Sequence, residues 1–197
     1  MKNNLLYMVT AVTLFSCVNV RAQAPALGSA ANYVLFSTNG AVSNSGLSQL
    51  TGNVGTNNGL CTAFGNVNGQ MHNQDGPSGI CASDLLIAYN QLNAAVPTFF
   101  PAPLLGNGQT LNAGIYSISG NASLNLNLIL DGQANQNSVF IFQIQGAFSA
   151  NASSQVTLIN GAKACNVFWK IEGLVSLASG TKMRGTVIAN NAAINIS

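Results

Sequence analysis

Residues 116–130 read YSISGNASLNLNLIL, and two patterns in this stretch set the fold. The first is alternation. Leu124, Leu126, Leu128 and Leu130 fall on one side of an extended chain, and Ser123, Asn125 and Asn127 on the other, because successive side chains of a strand point to opposite faces. The polar side carries only small, uncharged groups. The second is repetition. Tyr116–Gly120 (YSISG) returns as Phe142–Gly146 (FQIQG) and Trp169–Gly173 (WKIEG), at spacings of 26 and 27 residues. Each reads aromatic, polar, Ile, polar, Gly.

The residues after each pentapeptide also align: NASLNLN, AFSANAS and LVSLASG. Ser123, Ser149 and Ser176 then share one outward column, and Leu124, Ala150 and Leu177 the next, inward one. Asn125, Asn151 and Ala178 form a second outward column. LILDG, QVTLING and MRGTVIA read as a third strand in each unit. A fixed period of this length signals a solenoid or a propeller. Three short strands per unit and no hairpin return favour coils of a three-faced β-solenoid over blades; a β-sandwich is the competing architecture. Stacked strands would space each column at about 4.8 Å.

Upstream, NYVLFSTNG, AVSNSGLSQ and LTGNVGTN read as further coils, with Val42 inward and Ser43 outward. Residues 60–82 read as a polar cap loop over one end of the stack. Export makes disulfides possible, and the sequence pairs Cys61 with Cys81; closing about 20 residues would contribute about 3 kcal/mol. His72 and Asp75 lie in this loop at no zinc-ligand spacing, so no metal is expected. Cys165 reads as a buried free thiol. SDLLIAYNQLNAAV predicts a helix over 83–96, capped by Ser83 or Asp84. Its apolar stripe is Leu85, Ala88, Tyr89, Leu92 and Val96, and Pro97 ends it. The stripe needs cover, and the side of the stack supplies it. Phe99, Phe100, Pro101 and Pro103 would wedge the return connection.

Charged residues make up 5% of the chain, against roughly 25% in a typical soluble domain, and Asp131 is the only charge between Asp84 and Lys163. Nucleic acid, which needs clustered Lys and Arg, is excluded as a partner. Residues 1–22 read as an export signal: Lys2, an apolar LLYMVTAVTLF, and VRAQ offering a cut after Ala22. A second reading takes Cys17 in LFSC as a lipidated residue that would anchor the protein at the cell surface; otherwise it is secreted and touches no membrane. After cleavage Lys163, Lys170, Lys182 and Arg184 balance Asp75, Asp84, Asp131 and Glu172. With one His, four carboxylates and no nucleophile, phosphate-loop or metalloprotease motif, no enzyme, cofactor or small-molecule substrate is expected. Lys170 and Glu172 read as solvated on the outer side of one strand.

From LGSAANYVLFS onward the chain resembles the exported ice-binding-like proteins. The stretches that carry the resemblance are LGSAANYVLFS, TGNVG, LLIAYNQLN, QTLNAGIYS, SVFIFQIQG, LINGAKACNVFWKIEG and GTVIANNAAINIS, within residues 27–197. The resemblance implies a discontinuous three-faced β-solenoid with the helix along one side. It also implies adsorption to an ice crystal surface through a flat face, here Ser43, Ser123, Asn125, Ser149, Asn151, Ser176 and Ala178, with Asn195 as a neighbour. The alternative is an adhesion or interaction module on the same fold without ice affinity. The face holds Ser and Asn where Thr would add a methyl and a stiffer χ1, so moderate activity is expected, with mobile Asn side chains blurring the grid. Family members usually continue past AINIS, so this chain is either shortened or left with an open edge in its last coil. Sequons at Asn121, Asn151 and Asn195 lie on or beside the face, where glycans would block it.

Overall fold

The computed structural model describes residues 22–46, 48–190 and 192–197; Cys17 and the rest of the expected export signal up to residue 21 lie outside them. Residues 104–197 wind into parallel coils with three sheets. Face A contains Gly114–Ile118, Phe140–Ile144, Val167–Ile171 and Thr186–Ala189 in that order. Face B contains Leu104–Gly106, Ala122–Asn125, Phe148–Ala150, Val175–Leu177 and Ile194–Ile196. Face C contains Thr110–Asn112, Asn127–Asp131 and Gln155–Ile159.

The pentapeptide repeat is what brings these coils into register. Tyr116, Phe142 and Trp169 pair across neighbouring strands and stack inside the coil, with ring centroids 5.1 and 4.0 Å apart. Phe99 extends the stack below Tyr116 at 4.9 Å. Ile118, Ile144 and Ile171 form the next buried column. The closing glycines of the second and third repeats sit where coils touch at the corner: a Cβ on Gly146 would meet the Asn121 backbone nitrogen at 2.7 Å, and one on Gly173 the Ala147 nitrogen at 2.8 Å, whereas one on Gly120 would meet nothing. Only glycine lets the backbones approach so closely.

The leucine alternation over 121–130 runs across two strands, Ala122–Asn125 and Asn127–Asp131, and does not keep all four leucines on one side. Leu126 adopts a left-handed φ of +55° and is exposed, turning the chain from face B to face C; only Leu124, Leu128 and Leu130 point inward. The third unit also differs from expectation. Thr186–Ala189 within MRGTVIA returns to face A, where Val187 pairs with Trp169, and face C of that coil shrinks to one bridge between Gln155 and Lys182.

Residues 60–82 are not a cap loop. Cys61–Thr62, Val67–Asn68 and Met71–Asn73 pair with Val42–Ser43, Leu50–Thr51 and Asn53–Thr56, and the last of these pairs with Tyr33–Ser37. The segment is thus a further coil of a short amino-terminal stack. The helix begins seven residues earlier than expected and spans Gly76–Ala94. Asp75 is its N-cap: its Oδ1 accepts from the Ser78 N–H at 2.9 Å, and Ser78 Oγ accepts from the Asp75 N–H at 2.8 Å, a capping box. His72 Nδ1 lies 2.7 Å from the other Asp75 oxygen. Cys81 therefore sits inside the helix, fully buried, rather than at a loop end, and Cys61, Cys81 and Cys165 are all free. The expected disulfide is absent. Burial, reinforced by Asp84, pushes the Cys81 thiol up to about 12. Cys165, expected to be buried, is exposed.

The helix spans both stacks. Asp84 accepts from the Ser29 N–H and Oγ at 2.7 and 2.6 Å. Farther along, the helix reaches Glu172 and Asn190, then Lys170, then Gln143. Leu85, Ala88, Tyr89 and Leu92 pack on Ile115, Ile141, Phe168 and Ile188 of face A, whereas Val96 is exposed. Among the described residues no strand pairing joins the two stacks. The two ends of the large stack also differ. The inward column of face B opens on Leu105, 0% exposed, and ends on Ile196, 63% exposed.

Candidate binding face

Helix packing removes face A from solvent. Its outward residues Gln143 and Lys170 are 4% and 1% exposed. Lys170, expected to be solvated, is instead enclosed. Its Nζ donates to Asn93 Oδ1 at 2.8 Å, pairs with Glu172 and lies 5.3 Å from the Tyr89 ring centroid. Tyr89 Oη and Asn190 Nδ2 donate to the two Glu172 oxygens at 2.7 and 2.8 Å. Burial raises the Glu172 carboxyl, but the hydrogen bonds from Lys170, Asn190 and Tyr89 outweigh it and hold the group below its ordinary range. Burial, then the bond to Glu172, pushes the Tyr89 phenol up to about 12. Gln143 Nε2 donates to the carbonyls of Leu92 and Ala95 at 2.7 and 2.6 Å, satisfying acceptors that a helix end leaves open. The polar residues of face A thus fasten the helix.

Face C is open but charged. Asp131 lies in its ladder, and Lys182 and Arg184 border a cavity beside Gln155 and Thr157.

Face B is open and carries no charged residue. Ser123 pairs with Ser149, Ser149 with Ser176, and Ser176 with Asn195; Leu104 heads the column. No side-chain hydrogen bond engages the three serine hydroxyls among the described residues, whereas Asn151, Asn125 and Asn107, the last one residue past the Gly106 that pairs with Asn125, are linked side chain to side chain. Asn151 Nδ2 donates to Asn125 Oδ1 at 3.2 Å, and Asn125 Nδ2 donates to Asn107 Oδ1 at 3.0 Å. The expectation of loose, blurring asparagines is corrected by these bonds, which fix the Asn125 amide from both sides. The Ala178 N–H bonds Ala150 O as the Asn151 N–H bonds Leu124 O, at 3.1 and 2.9 Å, so Ala178 holds the next position in that column. Six of the seven expected residues are therefore brought together. Ser43 is not: it belongs to a separate two-stranded sheet, opposite Thr62. Asn107 was missed because its coil lacks the aromatic pentapeptide and GNGQ reads as a turn.

The fold and this face define a class: a helix-braced β-solenoid with one open, uncharged side whose residues line up in register. Residues 36–197 match the family model described as Ice-binding-like, and the chain belongs to that family. It is 32% identical to an ice-binding protein of Nostoc sp. (strain HG1), over 92% of this chain and 69% of the relative. Among solved structures, an ice-binding protein from an Antarctic bacterium of the Flavobacteriaceae superposes with a TM-score of 0.86 at 63% identity. That match covers 87% of this chain and 41% of the other, so the chain spans about two fifths of that protein's length. An ice-binding protein from the Antarctic ascomycete Antarctomyces psychrotrophicus superposes with a TM-score of 0.81 at 31% identity, covering 88% of this chain and 90% of the other.

Proposed function

We propose that this chain is an exported, non-enzymatic ice-binding protein that adsorbs to ice through face B. The observation that carries the reading is the in-register Ser and Asn columns on the one sheet of the large stack that is both uncovered and uncharged. The physical argument is one of hydration. Charges hold water in tight local shells, whereas neutral hydroxyls and amides repeated at about 4.8 Å leave the water over them free to adopt a lattice order. The ice-binding relatives support the same reading, and the apolar run of residues 5–15 after Lys2 supports export.

The test is ice-recrystallisation inhibition by the purified mature protein and by Asn151→Tyr. Asn151 is exposed, so a ring there disrupts the plane without entering the core. Inhibition by the parent and its loss in the variant, at an unchanged melting temperature, is the expected result. Equal inhibition by both would place the binding surface elsewhere, and no inhibition by either would refute ice binding.

A further inference from the structure

We infer that Asn107, Asn125 and Asn151 act as one rigid rim of the binding face, that Asn125 is its positioning residue, and that Ala178 marks a missing rung. The inference rests on the ice-binding reading of face B and adds a residue, Asn107, and a division of labour within it.

A carboxamide offers two N–H donors and one carbonyl with two acceptor sites. Asn125 spends one of each inside the ladder, donating to Asn107 at 3.0 Å and accepting from Asn151 at 3.2 Å. Its remaining N–H and lone pair are thereby fixed in direction. Asn107 and Asn151 are each held from one side. All donors run the same way along the stack, so the rim ends on the Asn151 side-chain oxygen Oδ1, which accepts no hydrogen bond among the described residues. The next position holds Ala178, which has no group to meet that oxygen, and an open depression lies there between Asn151, Ser176, Ala178 and Asn195. The serine column next to the rim is of the opposite kind, with hydroxyls that rotate to suit their water.

Binding to a lattice favours groups already ordered, since each side chain immobilised on adsorption costs rotamer entropy. The ladder meets that cost during folding. The face therefore combines a preset rim, which fixes the register of the first waters, with serines that adapt to it. Losing Asn125 frees both neighbours, while losing Asn107 removes one bond from Asn125, which Asn151 still holds.

The experiment compares the parent with Asn125→Ala, Asn107→Ala and Ala178→Asn. It measures recrystallisation inhibition and, by NMR, hydrogen exchange of the asparagine side-chain amides. The parent should show slow exchange of the Asn125 and Asn151 Nδ2 protons. Asn125→Ala should abolish the Asn151 protection and reduce inhibition more than Asn107→Ala, with melting temperatures moving by less than about 4 °C. Ala178→Asn should lower the minimal inhibitory concentration on the order of two-fold, the size one exposed hydrogen bond supports. The inference is overturned, with the face intact, if the parent inhibits but Asn107→Ala loses as much as Asn125→Ala, or if Ala178→Asn gains nothing. It is overturned equally by fast exchange of both parental amides. A parent without inhibition refutes the ice-binding reading itself, whatever the amides show.

Discussion

Gln143 and Ser149 lie six residues apart on one coil, and both point away from its core. Gln143 is 4% exposed because it caps the helix end; Ser149 faces solvent with no side-chain partner. Faces A and B share a backbone plan and a coil repeat, yet one has become a second core and the other has stayed a surface. The difference lies in the outward residues. Face A presents Ile115, Ile141 and Phe168, which bury a helix stripe, and its Gln143 and Lys170 hydrogen-bond to groups on the helix. Beyond Leu104 at its head, face B presents Ser, Asn and Ala, which offer a helix little apolar area and no charge. A solenoid wall is thus assigned to packing or to binding by a few side chains per coil.

The largest expected contrast comes from truncating one residue on each side of this division. Trp169→Ala removes the ring stacked at 4.0 Å on Phe142 and should destabilise by about 3–5 kcal/mol. Ser149→Ala should stay within about 0.5 kcal/mol. Denaturant unfolding measures both, and a comparable loss in each would erase the distinction between core and face.

A smaller effect is expected where the helix is fastened. Glu172→Ala strands the buried Lys170 ammonium and should cost about 3 kcal/mol, whereas Lys170→Met with Glu172→Gln should recover most of it. The pH dependence has a definite sign. The Glu172 carboxyl is held below its unfolded value, so its contribution is complete above that value and is lost as pH falls through the folded one. Melting curves between pH 7 and pH 3 should therefore fall less steeply in Glu172→Gln than in the parent. Parallel curves would show that the carboxylate does not hold the helix.

The coil register was legible because it is written in large side chains. Tyr116, Phe142 and Trp169 recur with a fixed frame, and the serine and asparagine columns align with them. The features that escaped have identifiable physical causes. Lys170 looks solvated on any one-strand reading, because only the packing of a helix some 80 residues away in sequence encloses it. The helix start was hidden by Gly76 and Gly79, although Asp75, Pro77 and Ser78 carry its capping signal. Leu126 keeps the alternation of a strand while its backbone turns a corner. The cysteine spacing suited a closed loop, but the intervening residues form a coil and a helix turn.

The smallest effect concerns those thiols. In native protein a thiol reagent should modify Cys165 quickly, Cys61 more slowly, and Cys81 only on unfolding, since burial keeps the last protonated. Counting modified cysteines by mass checks this, and a native protein in which Cys61 and Cys81 both resist reagent until a reductant is added would restore the disulfide.

The central claim, that face B is the surface that meets ice, is tested most directly by partitioning of the protein into a slowly grown ice front. The comparison is between Ser149→Tyr on face B and Thr110→Tyr on face C, both exposed strand positions. Ser149→Tyr should be excluded from the ice while Thr110→Tyr enters it as the parent does. The opposite pattern, or equal uptake of both, would contradict the account.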